Sequence, residues 1–202
     1  GQRQMCIRDR IELSGRFFDW LLDQWNMMNS VNCQKTSEWR NDMPSVAGLG
    51  HVGIYTNDLF KMRDFYSRVM GLEITDEETE DRGIVFMSSK PDEEHHEFVL
   101  MKGRDVPEGA KMVQQISFYV DTLGDLKQFH SVFKDESVRI ERTVSHGNAF
   151  GMYALDPEGN TIEVYYRTGF PVPQPCADPV TLEDYEEYLL DQARSRIPAY
   201  QI

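Results

Sequence analysis

The chain has 202 residues with a formal net charge of −13 and a pI near 4.8, and 40% of them are hydrophobic, enough to bury a core. That acidity leaves no basic stripe, which argues against nucleic acid or an anionic membrane as a partner. The apolar runs fall short of the roughly 18 residues a bilayer span needs. Three scattered cysteines (Cys6, Cys33 and Cys176) form neither a disulfide framework nor a zinc spacing, so a reducing cytoplasm is the expected compartment.

In chain order, residues 1–45 read as an N-terminal extension. Gly1–Arg10 has the texture of translated adaptor sequence and is set aside, so that native translation would start at Met27, Met28 or Met43. Phe17, Phe18, Leu21, Leu22 and Trp25 recur at helical spacing behind Ser14, which predicts a helix over Ser14–Met28 followed by a polar linker to Pro44. From Ala47 the pattern changes. A strand is expected over Leu49–Tyr55, a turn at Asn57–Asp58, and a helix over Leu59–Met70 closed by Gly71. Strands follow at Leu72–Thr75, Gly83–Ser88 and Glu97–Met101.

The same order then repeats: a strand over Val113–Val120, a turn at Asp121, a helix over Leu123–Phe133, and strands near Val138–Arg142, Gly151–Leu155 and Thr161–Tyr165. A shift of 64 residues superposes Tyr55 on Tyr119, Leu59 on Leu123, Met62 on Leu126 and Phe65 on Phe129. A shift of 66 superposes Glu97 on Glu163 and Gly103 on Gly169. This is an internal repeat of a βαβββ unit, with units at 46–104 and 111–168 in a domain at 46–168. The class is α+β: two pseudo-symmetric units whose curved sheets pair around one cleft. Residues 169–202 form an extended proline-rich segment and an acidic helix over Thr181–Ser195, with Thr181 and Asp184 as a loose capping box. Leu182, Tyr185 and Leu189 give that helix a sticky side for core packing or a dimer contact.

The repeat brings corresponding strands together, and at corresponding points stand His51 and Gln115, and Glu97 and Glu163. Imidazole and carboxylate ligands with open positions suit Fe(II), Mn, Zn, Ni or Co. Glu163 lies between Ile162 and Val164, where a carboxylate requires a partner or a metal. Strand alternation turns His95 and Glu97 one way and His96 the other. Before the last strands, Ser145–Asn148 and the tight turn Asp156–Asn160 add His146 as a candidate lid or proton-transfer residue. Tyr153 is a candidate hydrogen-bond donor to a bound oxyanion.

The stretches LGHVGIYTNDL, HHEFVLMKG, QQISFYVDTLGDL and HGNAFGMYALDPEGNTIEVYY, from about residue 48 to 168, resemble the glyoxalase/bleomycin-resistance/extradiol-dioxygenase superfamily, whose fold is the vicinal-oxygen-chelate fold. The tail GFPVPQP looks like the small catechol and biphenyl-diol dioxygenase branch. That resemblance implies an extradiol ring-cleaving dioxygenase acting on a catecholic aromatic and O₂, with Fe(II) held by His51, by Glu163 and by the residue at Gln115. Gln115 departs from the pattern, since a histidine is expected there. His96 matches the acid–base histidine of the branch. The resemblance also fits a glyoxalase I-like lyase or isomerase with His51, Glu97, Gln115 and Glu163 as four ligands, or a non-catalytic small-molecule-binding member. A homodimer is expected.

Overall fold

The computed structural model describes residues 46–107, 110 and 113–198. The chain divides into two compact units, residues 1–49 and 50–202. Of the first, only residues 46–49 are described, and these are exposed and irregular. The expected helix over Ser14–Met28, its linker and the segment Gly1–Arg10 lie outside the described residues. All the strands and helices described belong to the second unit.

In its first half, β1 (Val52–Thr56), β2 (Glu73–Glu78), β3 (Ile84–Ser88) and β4 (Phe98–Lys102) form a sheet of order β1-β4-β3-β2. β1 runs parallel to β4, and the other pairs are antiparallel. Between β1 and β2 lies α1 (Leu59–Asp64), capped by the Asp58 side chain on the Lys61 amide at 3.0 Å. It continues as a π-helical stretch over Phe65–Val69, which ends in Gly71 at positive φ. The wider π turn lets the consecutive residues Phe65 and Tyr66 both point into the core.

In the second half, β5 (Ile116–Val120), α2 (Leu123–Asp135), β6 (Ile140–Ser145), β7 (Ala149–Leu155) and β8 (Thr161–Arg167) repeat the arrangement. The sheet order is β5-β8-β7-β6-β9, where β9 is the two-residue strand Asp178–Pro179 laid against β6. Thr122 and Asp125 form a reciprocal capping box on α2 that the sequence reading did not single out. The architecture is thus α+β, two mixed sheets of βαβββ-like units, as the repeat implied.

One hydrophobic cluster joins the halves. Phe65 faces Phe133 at 6.5 Å, and Phe98 meets Phe118 edge-on at 5.8 Å between centroids. Two polar ties also cross. The buried Tyr66 hydroxyl donates to Asp156 Oδ2 at 3.0 Å. Glu158 Oε1 accepts the amides of Asn57 and Asp58, both at 2.7 Å, and Arg104 pairs with Glu158 at 3.3 Å.

The C-terminal helix, α3, is shorter than expected, Glu186–Arg194. Thr181 and Asp184 form a backbone turn ahead of it rather than a capping box, and the N-cap is Tyr185 with no side-chain bond. Leu182 and Leu189 are buried in the chain's own core, whereas Tyr185 is 87% exposed, so the expected sticky side is divided between core and solvent. Among the described residues no helix is long and apolar enough to cross a membrane.

Candidate functional site

Side chains alternate across a strand, so residues paired in register share a face. In the second sheet Ile116 points into the core while Ser117 and Tyr119 point out. The pairings carry that outer face across the sheet as rows. Ser117, Glu163, Tyr153 and Arg142 form one row, and Tyr119, Tyr165, Gly151 and Val144 form the next.

Glu163 is the centre of the first row. It is only 7% exposed, and its Oε2 accepts from Ser117 Oγ at 2.6 Å and from Gln115 Nε2 at 2.9 Å. Gln115 Nε2 also donates to Ser117 Oγ at 2.7 Å, so the amide is braced against the carboxylate with its carbonyl oxygen left as an acceptor. No lysine or arginine lies at ion-pair distance from Glu163 among the described residues. A Cβ placed on Gly151 would come 2.6 Å from Glu163 Oε1, so the carboxylate leans over a position that only glycine leaves free.

Tyr153 and His146 extend the group. His146 Nδ1 is 2.6 Å from the Cys176 carbonyl oxygen, which can only accept, so this nitrogen carries the proton. Nε2 is then the acceptor in the neutral ring, and the Tyr153 hydroxyl donates to it at 3.3 Å. Gln174 Nε2 donates to the His146 carbonyl at 2.7 Å, so the proline-rich segment fixes this histidine. Burial, and then the neighbouring Glu163 carboxylate, push the Tyr153 phenol up to about 12, although the Arg142 guanidinium 4.1 Å above its ring pulls the other way. Tyr153 is therefore a protonated donor at neutral pH. Subtracting the absorbance titration of Tyr153→Phe from that of the native chain should isolate a phenol ionising near pH 12. A difference curve centred on the ordinary tyrosine value, about 10, would contradict this environment.

His51 precedes β1 in the other half. Its ring lies 4.5 Å from that of His96, and the His95 and His96 rings both pack on Phe86, at 5.8 and 5.0 Å between centroids. Burial, then the nearby His51 and His95, lower the His96 pKa. The expected split of His95 from His96 by strand alternation does not occur, because β4 begins at Phe98 and residues 91–97 are irregular.

The structure also corrects the reading of Glu97. β1 and β4 pair Gly53 with Val99, and β5 and β8 pair Ser117 with Glu163. Both steps are 64 residues (117 − 53 and 163 − 99), so the counterpart of Glu163 is Val99 and the 66-residue match to Glu97 is coincidental. Glu97 instead accepts from the amide and hydroxyl of Ser89, which hold its carboxyl below the usual range.

The structure therefore joins Gln115, Glu163, Tyr153 and His146 in one group and His51 with His96 in another. Among the described residues no hydrogen bond or ring contact links the two groups, and no three His, Cys, Asp or Glu side chains are arranged to hold a metal ion. Tested against a divalent cation, Glu163 fits as a buried carboxylate without a cationic partner, whereas Gln115 turns its Nε2 to that carboxylate and would offer its oxygen there only with the amide turned over. His51 is not brought into that group. Two members of the Glu163 row were not anticipated. Ser117 could have been found from strand parity, two residues after Gln115. Arg142 could not, since its place depends on the β6–β7 register.

Comparison with known proteins agrees with this architecture. Biphenyl-2,3-diol 1,2-dioxygenase 2 of Rhodococcus globerulus is 29% identical over 126 residues, 60% of this chain and 64% of that protein. The chain thus spans slightly under two thirds of that relative. Biphenyl-2,3-diol 1,2-dioxygenase 3 of the same organism is 29% identical over 142 residues, 68% of this chain and 72% of that protein. The 1,2-dihydroxynaphthalene dioxygenase of Sphingobium xenophagum is 33% identical over 132 residues but is matched over only 40% of its length. The fosfomycin resistance protein FosX of Listeria monocytogenes, in its monoclinic crystal form, shares the fold with a TM-score of 0.50 and 16% identity, covering 61% of this chain and 94% of that one. Residues 48–164, more than half of the chain, match the family described as the Glyoxalase/Bleomycin resistance protein/Dioxygenase superfamily. To that superfamily this chain belongs.

Proposed function

We propose that the chain is a metal-dependent dioxygenase of the extradiol type that opens the ring of a catecholic aromatic with O₂. The observation that carries this reading is the buried Glu163 carboxylate, lacking a cationic partner among the described residues and flanked by the Tyr153–His146 pair. The similarity to two biphenyl-diol dioxygenases and a dihydroxynaphthalene dioxygenase supports it. In this reading Glu163 and Gln115 would hold Fe(II), and His51, the third ligand the resemblance implies, would have to join them from the other group. Bound iron would supply the Lewis acid that acidifies the diol and a path by which the diol's own electrons reach O₂. Tyr153, protonated and oriented by His146, donates a hydrogen bond to a diol oxygen, and His96, the base the resemblance implies, would receive a diol proton only where the His51–His96 group meets that of Glu163. Gln115 in place of a histidine makes this a weaker iron site than two imidazoles would, because a neutral amide oxygen is the poorer donor.

The four-ligand lyase reading loses support, because Val99 occupies the position where the first half would supply a second carboxylate, and Glu97 is committed to Ser89. The test is elemental analysis of protein purified anaerobically, followed by O₂ uptake with catechol and 3-phenylcatechol. The expected result is bound iron, oxygen consumption and a yellow ring-opened product. Iron-reconstituted protein that consumes no oxygen with either diol would overturn the proposal.

A further inference from the structure

Arg167 stands out in this acidic chain. Arg63, Arg68, Arg104, Arg139, Arg194 and Arg196 each have a carboxylate partner, while Arg82, Arg142 and Arg167 have none among the described residues, and of these three it is Arg167 that stands on the strand of Glu163. Its guanidinium is instead seated on two tyrosines, 5.0 Å from the Tyr119 ring centre and 5.4 Å from that of Tyr165, and its Nη2 donates to Tyr165 Oη at 2.7 Å. Tyr119 and Tyr165 themselves meet edge-on at 6.4 Å. A guanidinium fixed in this way, with donors still unused, is pre-organised for an anion.

Its position matters as much as its chemistry. Glu163, Tyr165 and Arg167 are every second residue of β8 and share its outer face. Same-face neighbours on a strand are spaced by about 6.6 Å, so Arg167 lies some two steps, about 13 Å, from Glu163 along the backbone. The lean of the carboxylate over Gly151, which is paired with Tyr165, shortens the interval between the charged groups. A catechol whose hydroxyl groups are held at Glu163 would lay its ring against Tyr165 and point any further substituent at Arg167.

We propose that Arg167 is the specificity-determining residue for a carboxylate, so that the preferred substrate is a catechol bearing a short acidic side arm. The diol end of this inference rests on the dioxygenase reading above; the anion end rests on Arg167 alone.

Two probes of equal size, 3-(3,4-dihydroxyphenyl)propanoate and its neutral amide, differ only in that charge. Their affinities for the protein as purified are measured anaerobically by titration calorimetry. The acid should bind about ten-fold more tightly than the amide, the scale of one exposed charge-assisted hydrogen-bonded contact, and the advantage should shrink as salt is raised. Arg167→Gln should remove the acid's advantage and leave the amide within two-fold, while Arg167→Lys, a point charge without the planar fork, should restore part of it. Thermal melting confirms that each variant is folded, and Arg167→Lys carries the comparison if Arg167→Gln is not. Equal affinities in the native protein, binding of neither probe, or a preference that survives Arg167→Gln would overturn the inference. An Arg167-dependent preference in a protein that, once reconstituted with iron, takes up no oxygen would leave it standing and overturn the dioxygenase reading instead.

Discussion

Replacing Glu163 with glutamine should weaken divalent-metal binding by at least about 100-fold, the upper end of what losing even an outer-shell partner of a ligand costs, and oxygen uptake should fall with it. The substitution keeps shape and volume, so Ser117 and Gln115 still find an oxygen to donate to. What disappears is the charge. If the carboxylate serves a cation, equilibrium dialysis with Mn(II) or Fe(II) will show the loss, while the apo protein melts at the native temperature or above it, because a buried charge without a counter-ion has been removed. Unchanged metal affinity together with a lower melting temperature would identify Glu163 as a structural acceptor for its two donors and remove the basis of the proposed site.

Asp156→Ala should be among the most damaging polar changes to the fold, costing about 3–5 kcal/mol on the usual scale for several buried polar groups losing their partners together. Asp156 is 4% exposed and satisfies four donors. Its Oδ1 takes the amides of Glu158 and Asn160 at 3.0 and 2.8 Å, and its Oδ2 takes Asn160 Nδ2 at 2.7 Å and the Tyr66 hydroxyl at 3.0 Å. Alanine removes all four acceptor contacts and strands the Tyr66 hydroxyl, whose pKa burial and then Asp156 have already raised well above the ordinary tyrosine value. For a unit of this size, that loss corresponds to a drop of roughly 10 °C in melting temperature. Tyr66→Phe is the informative control. It leaves Asp156 with its other three donors and should cost much less, on the order of 1–2 kcal/mol. Equal losses in the two variants would mean that the turn amides contribute nothing and that the tie between the halves is the whole effect.

The repeat was legible because its signal is local. Leu59, Met62 and Phe65, and their counterparts Leu123, Leu126 and Phe129, mark helices by their spacing, and β-rich runs flank them. The boundaries were less so, since where β4 and β5 begin depends on pairing rather than composition, and Glu97 and Val113, the first residues expected for those two strands, proved irregular. The error over Glu97 has the same origin. Two identical letters 66 residues apart were matched without the hydrogen-bond register, and the register is constant at 64. Glu163 could be picked out because a carboxylate between Ile162 and Val164 is costly wherever the strand lies. Its neighbours Ser117, Tyr153 and Arg142 come from three other strands, and the Tyr153–His146 contact depends on a tail segment whose strand β9 is only two residues long. Composition cannot report such meetings, which is why Arg167, unremarkable as a letter, gains meaning only from the rings beneath it.

The Glu158 clamp bears on how the unit opens. A carboxylate in the second half holds the two amides that precede the first helix of the first half, across 101 and 100 residues of sequence. Fluctuations that open the Asp156–Asn160 turn must therefore also release Asn57 and Asp58. In hydrogen exchange these two amides should share the opening free energy of the distant turn rather than that of their own strand end, which makes the duplicated halves one cooperative unit instead of two that melt in succession.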